Sequence, residues 1–172
     1  LVVRFEPTED RRTMDQNQPY APSEETSMLR DLVTKFVERD MMPLEPAVLK
    51  REAEGGGFKL SAEEEKTLLD RCQELGLWGL DVPEEFGGAN LPLISLAAAE
   101  EEMARACVPF TIPPDSPNLH MMLSVASPMQ RVKYLDPYAR GEQRSAMAIS
   151  EPGAGGDPAG MTTRAVRDGD DW

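Results

Sequence analysis

The 172-residue sequence is poor in the side chains from which most reactive centres are built: it has one histidine, two cysteines and only 6% aromatic residues. A lone histidine cannot supply a multi-ligand metal site, so no metal is expected. His120 stands beside Met121, Met122 and Leu123 and is read as a packed helix residue. Cys72 and Cys107 match neither a metal-ligand spacing nor a disulfide framework. Both lie among apolar residues and are expected to be buried, in a reducing, cytoplasmic-type compartment. Positive charge is also scarce, with 18 basic against 31 acidic side chains and a net charge of −13. Nucleic acid and anionic membrane surfaces are bound largely by Lys and Arg, so neither is expected as a partner. Long apolar runs are missing too: none approaches the roughly 18 residues of a membrane-spanning helix. The opening LVVRFEPTEDRRTMD has too few apolar residues for a secretion signal and too many acids for a transit peptide. It has no initiator Met, and the sequence stops abruptly at Trp172, so a processed or truncated chain is expected.

What is present is a helical pattern. Residues 1–22, with Pro7, Pro19 and Pro22 and no sustained period, read as an irregular arm. Ser23 then stands at an N-cap position. Leu29, Leu32, Val33, Phe36 and Val37 follow at the spacing that places them on one helix face, until Pro43 and Pro46 end or kink it. Gly55, Gly56 and Gly57 mark a loop, after which Ser61 and Glu64 make a capping box ahead of the stripe Leu68, Leu69, Cys72 and Leu75. Gly76 and Gly79 stop that helix, and VPEEFGGAN is a turn-rich loop. A third helix is expected from about Pro92 to Arg105, its alanines at 97 to 99 and 104 allowing close approach of a neighbour. Ser116-Pro117 and Ser127-Pro128 look like N-cap and N1 pairs, the second completed by Gln130. Ten methionines are read as mostly core filler. The runs Glu63 to Glu65 and Glu100 to Glu102 are read as solvated helix faces.

After Gly141 the pattern changes. Ala146 to Ser150 suits a buried strand, Thr162 to Arg167 alternates as another would, and Asp168-Gly169 marks a hairpin turn. The expected fold class is therefore mainly α: a helical domain over 23–143, then the first strands of a β domain over 144–172. No internal repeat is present.

The stretch that could carry chemistry is Met147-Ala-Ile-Ser-Glu-Pro-Gly-Ala-Gly-Gly-Asp157, a strand pattern running into a glycine-rich turn. Glycines let backbone approach a ligand, and their free N–H groups can hold an anion such as a diphosphate. It is not a P-loop, because no Gly-Lys-Ser/Thr follows, and Pro158 occupies the last glycine position of a dinucleotide fingerprint read from Gly153. On spacing alone, a plain tight turn and a cofactor cradle are equally compatible. Glu151, adjacent to a turn-forming proline, reads as structural.

The string AISEPGAGGDPAGMTTRAVRDGDDW resembles the signature of the acyl-CoA dehydrogenase family, in which a strand ending in Thr or Ser leads into E-P-G-A-G-S-D. Further pieces occur in the order that family shows: the Leu75–Gly79 turn, the Val82–Gly88 loop, the alanine-rich helix ending at Arg105, and the run from Gln130 to Glu142. The likeness spans residues 23–172. It implies a helical N-terminal domain, a β-barrel-like middle domain that the 144–172 segment begins, and a C-terminal four-helix bundle, with FAD held between them and a homo-oligomer as the assembled form. Carried over residue by residue, it implies that Met147, Ala148 and Ile149 border the flavin ring, that the Ser150 hydroxyl hydrogen-bonds it, and that Gly155 and Gly156 face the FAD diphosphate. Gly156 also falls at the acyl-CoA entrance, where the family has Ser. The proline-rich PFTIPPDSP replaces the usual helix connection near the acyl pocket. The implied reaction is oxidation of an acyl-CoA to a trans-2-enoyl-CoA, with electrons passed to an electron-transferring flavoprotein. No acidic residue here takes the role of the proton-abstracting glutamate, so no catalytic residue is assigned. An acyl-CoA oxidase, another flavoenzyme on this scaffold, or a non-catalytic helical interaction module fits the same motifs.

Overall fold

A computed structural model describes residues 22–114 and 118–171. The expected N-terminal arm, Pro22 apart, and the Ser116-Pro117 helix start lie outside the described residues.

Helix α1 (Glu24–Phe36) begins where the sequence places it, with the Ser23 hydroxyl accepting the Thr26 N–H at 3.1 Å. Val33, Phe36 and Val37 of the expected face are buried. The prolines kink the chain without ending it. It widens into a π-helical turn at Val37–Met41, tightens into a 3-10 turn at Met42–Leu44, and resumes as α2 (Glu45–Ala53). A proline ring inside a regular helix clashes with the carbonyl four residues earlier. For Pro43 that residue is Arg39, inside the widened turn. The same arrangement recurs where the π-helical turn Arg131–Leu135 contains Lys133, four residues before Pro137.

Helix α3 (Ala62–Leu75) carries the full capping box, with Glu64 N–H on Ser61 Oγ at 3.2 Å and Ser61 N–H on Glu64 Oε2 at 2.6 Å. The same carboxylate takes the Arg51 guanidinium at 3.0 and 3.1 Å, which ties α2 to α3 across the glycine loop. Gly76 closes the helix in the left-handed conformation, φ +71°. Helix α4 (Leu93–Met103) lies against α1. Ser95 and Ala99, one turn apart, are the small residues buried in that contact, and Ser95 Oγ meets Thr26 Oγ1 at 2.8 Å. Helices α5 (Leu119–Val125), α6 (Pro128–Gln130) and α7 (Asp136–Ala139) follow in close succession, with Ser127 and Gln130 completing the second capping box.

Two apolar clusters result. The larger joins Phe36, Val37 and Met41 to Leu68, Cys72, Leu77, Leu80, Ala99 and Met103, and the smaller joins Val82 to Leu119, Leu135, Tyr138 and Ala139. The loop from Gly79 to Leu91 links them, because Leu80 points into one and Val82 into the other. It doubles back on itself through Ala89 N–H to Gly79 O (2.8 Å), Asn90 N–H to Val82 O (2.9 Å) and Leu91 N–H to Leu80 O (2.7 Å).

The expected β strands are not formed among the described residues. Ala146 to Ser150 and Thr162 to Arg167 pair with no neighbouring strand, and both are exposed. The isolated bridges, Glu151 with Ala154 and Asp168 with Asp171, each close a tight turn. A strand is stabilised by the backbone groups of its neighbours, and no described segment offers an edge to these two. The Asp168-Gly169 turn itself forms as expected, with Gly169 at φ +63°. No helix among the described residues is long and apolar enough to cross a membrane.

Candidate functional site

The segment singled out in the sequence leaves the helical layer at a tethered point. Past α7, Gly141 adopts φ +73° directly under Trp78, where a Cβ would lie 2.6 Å from the indole. Arg144 then pairs with Glu65 of α3. Ser145 Oγ donates to the hydroxyl of buried Tyr138 at 2.9 Å and accepts from Asn118 Nδ2 at 2.9 Å, while the Asn118 N–H donates to the same tyrosine oxygen at 3.3 Å.

Beyond Ser145 the side chains turn outward. Met147 is 64% and Ile149 45% exposed, and Ala148 and Ser150 are exposed as well. Pro152 and Gly153 occupy a turn closed by reciprocal 3.0 Å hydrogen bonds between Glu151 and Ala154. The Glu151 carboxylate reaches across the loop. Oε1 accepts the N–H (2.5 Å) and hydroxyl (2.9 Å) of Thr162, and Oε2 accepts the N–H (3.0 Å) and hydroxyl of Thr163. These four donors, the Thr163 hydroxyl foremost, hold the Glu151 pKa down at about 2. Glu151 is thus a loop staple, as its place beside a proline suggested. Asp157 caps the 3-10 turn Pro158–Gly160 by accepting the Ala159 N–H at 3.0 Å.

Between these two fasteners, a Cβ placed on Gly153, Gly155 or Gly156 would meet nothing within 4 Å, and the Gly155 and Gly156 amides donate to no described group. Unpaired, accessible N–H groups on a fastened loop suit an anionic group such as a diphosphate. Charge favours this end of the chain: residues 22–114 hold 19 acidic and 9 basic side chains, whereas 118–171 hold 7 and 6. The residues present therefore fit a dinucleotide diphosphate, and the exposed 147–150 segment is free to lie against a ring.

Other expectations need correction. Cys107 is exposed, because the segment after α4 alternates: Ala106 and Val108 turn inward and the Cys107 N–H goes to Glu45 Oε1 at 2.7 Å. Cys72 is buried, and burial pushes its thiol up to about 12. His120 is exposed rather than packed, since Leu119 takes the core position of α5; its Nε2 lies 3.9 Å from Asp81. Met28, Met121, Met129, Met147 and Met161 are exposed, so the methionines are not mainly core. Glu102 departs from the solvated run it belongs to. It is buried, accepting from Arg30 Nε and Arg105 at 2.8 Å each, and those bonds hold its pKa down at about 2. Neither this ion cluster nor the Tyr138 tether was read from the sequence. Their members stand 72 and 27 residues apart, and no local spacing marks them.

Residues 23–142 match the protein family described as acyl-CoA dehydrogenase, N-terminal domain. Over 161 residues the chain is 40% identical to the (R)-benzylsuccinyl-CoA dehydrogenase of Thauera aromatica, covering 89% of this chain and 40% of that one. It thus spans about two-fifths of that relative's length. The fold is similar to that of an acyl-CoA dehydrogenase homologue from Mycobacterium abscessus, with TM-score 0.71, 29% identity, and coverage of 88% of this chain and 40% of that one. It is also similar to an acyl-CoA dehydrogenase complexed with FAD from Bacillus anthracis, with TM-score 0.57, 28% identity, and coverage of 83% and 23%.

Proposed function

The chain belongs to the acyl-CoA dehydrogenase family through its N-terminal helical domain, and from that premise we propose that it is part of an FAD-dependent enzyme oxidising an acyl-CoA to a trans-2-enoyl-CoA. The observation that carries the reading is the fastened glycine turn: Glu151 staples it shut, and the Gly155 and Gly156 amides are left open to solvent.

In this reading residues 23–143 are the helical domain and 144–172 begin the β domain, whose strands acquire their ladder from further sheet. FAD, when bound, supplies the acceptor for the hydride removed from the substrate. Met147, Ala148 and Ile149 border its ring and shield it from water. Ser150 offers a hydroxyl donor toward charge arriving on the ring. Gly155 and Gly156 present amides to the diphosphate, and Gly156 also faces the acyl-CoA. No carboxylate here is proposed as the base. The two with the most strongly lowered pKa, Glu102 and Glu151, are each fully engaged by donors. The partners that go with this role are an electron-transferring flavoprotein and further copies of the chain. A non-catalytic helical module is the second reading. It is favoured by Gly156, which lacks the hydroxyl the family carries there.

The test is to purify the full-length gene product and mix it anaerobically with (R)-benzylsuccinyl-CoA or a straight-chain saturated acyl-CoA. Yellow protein whose flavin absorbance bleaches supports the enzyme, and reoxidation by electron-transferring flavoprotein rather than by oxygen separates dehydrogenase from oxidase. Colourless protein that takes up no added FAD sinks the proposal and favours the module.

A further inference from the structure

The chain between the helical layer and the glycine turn makes its last contact with the helices at Ser145, one residue past the Arg144–Glu65 ion pair, and what holds Ser145 is a phenol. Tyr138 is only 3% exposed, yet its hydroxyl sits at the layer's edge, where it accepts from Ser145 Oγ and from the Asn118 backbone. Asn118, itself 8% exposed, adds its side-chain donor to Ser145. Two helical elements and the outgoing segment therefore meet on one oxygen. From the next residue to Ser150 every side chain is exposed and no backbone N–H donates to a described group. The position and direction of 147–150 relative to the helices thus depend on this junction.

We propose that Tyr138 is a positioning residue: its hydroxyl pins Ser145 and so sets where Met147 to Ser150 lie as one wall of the cofactor site. This role rests on the flavin reading above. The tyrosine touches no reacting group; it acts through Ser145. A Tyr138→Phe substitution keeps the buried ring, so the smaller apolar cluster with Leu119 and Leu135 stays filled while the pin is removed. Ser145→Ala removes it from the other side, and Ser145→Thr retains the hydroxyl.

Two measurements test the role. The first is limited trypsin digestion, comparing cleavage after Arg144 with cleavage after exposed Arg164 as internal reference. Losing the tyrosine's two hydrogen bonds raises the local opening population and hence the Arg144 to Arg164 ratio by roughly tenfold in Tyr138→Phe, with a similar rise in Ser145→Ala and near wild-type cleavage in Ser145→Thr. The second is FAD dissociation from the full-length protein, followed by flavin fluorescence, with the helical melting midpoint as a structural control. FAD affinity falls by roughly tenfold in the first two variants, while the midpoint falls by no more than roughly 5 °C and the helices stay folded. A cleavage ratio within twofold of wild type in Tyr138→Phe overturns the pin. Increased cleavage with unaltered FAD affinity overturns the positioning role and leaves the flavin reading intact. Absence of FAD binding in the wild type defeats the flavin reading itself.

Discussion

Replacing Gly88 by alanine is expected to destabilise this protein more than the same change at any of its other glycines. Built on the existing backbone, the new Cβ would lie 2.0 Å from the Val82 carbonyl oxygen, 2.4 Å from the Val82 Cβ and 2.5 Å from its carbonyl carbon. Ordinary contacts start near 3.4 Å, so three atoms overlap by roughly 1 Å or more, and two of them are backbone that no rotamer change can move. Relief requires the two arms of the Gly79–Leu91 loop to part. That strains the bonds from Ala89 to Gly79, from Asn90 to Val82 and from Gly88 to Pro83. Losing two of these at about 1 kcal/mol each, with an overpacking cost of about 2 kcal/mol, gives a destabilisation of about 4 kcal/mol. For a chain of this length that lowers the melting midpoint by roughly 10 °C. Far-UV circular dichroism in heat and in urea measures both. Gly87→Ala serves as the first control: its φ of +83° makes alanine strained, but its surroundings are open, so it costs about 1 to 2 kcal/mol. Gly156→Ala, in open space without a left-handed backbone, changes folding stability by less than about 0.5 kcal/mol. A Gly88→Ala protein as stable as wild type, or a Gly156→Ala protein as damaged as Gly88→Ala, refutes the steric reasoning.

The buried carboxylate between two guanidinium groups makes Glu102→Gln costly by about 2 kcal/mol in urea unfolding, whereas the same change at neighbouring exposed Glu100 is near neutral. Glu102 and Glu151 both have folded-state values of about 2 against an ordinary 4.5. Their contribution to stability is therefore complete above about pH 4.5 and is lost as pH falls toward 2. Urea midpoints should be flat from neutrality to about pH 5 and drop below that, less steeply in Glu102→Gln; an equally steep drop in the variant counts against the assignment. In the glycine loop, the Thr162 and Thr163 amide resonances should titrate with a midpoint near pH 2, and a midpoint at 4 or above would mean that the Glu151 staple is not formed. Finally, Leu68→Ala should cost about 3 kcal/mol and Leu93→Ala less than about 0.5, because the first is 1% and the second 79% exposed; similar unfolding midpoints for the two would contradict the packing described.

Local chemistry was readable without coordinates. Ser23, the Ser61–Glu64 box, the Ser127–Gln130 box and Gly76 each act over four or five residues, so spacing alone located the helix ends they make. The ordered motifs from Leu75 to Gly156 likewise carried the family, and in the helical part some of them mark positions where only certain side chains fit. Gly79 and Gly88 are two of them, pressed against Val82. What fails locally is anything that needs a partner from elsewhere. Residues 146–150 and 162–167 have strand patterns, but pattern supplies only one side of a ladder, and among the described residues no neighbour completes it.

Tertiary structure alone decided which member of a chemically uniform run is buried. It drew Glu102 out of Glu100 to Glu102 by bringing Arg30 from 72 residues away, and it turned Cys107 and His120 to solvent by setting Val108 and Leu119 inward. It also brought Tyr138, Asn118 and Ser145 onto one oxygen. The physical reason is range: caps, turns and helix periods are satisfied within a few residues and are written in order along the chain. Burial and hydrogen-bond partnership between distant segments exist only once the helices have packed.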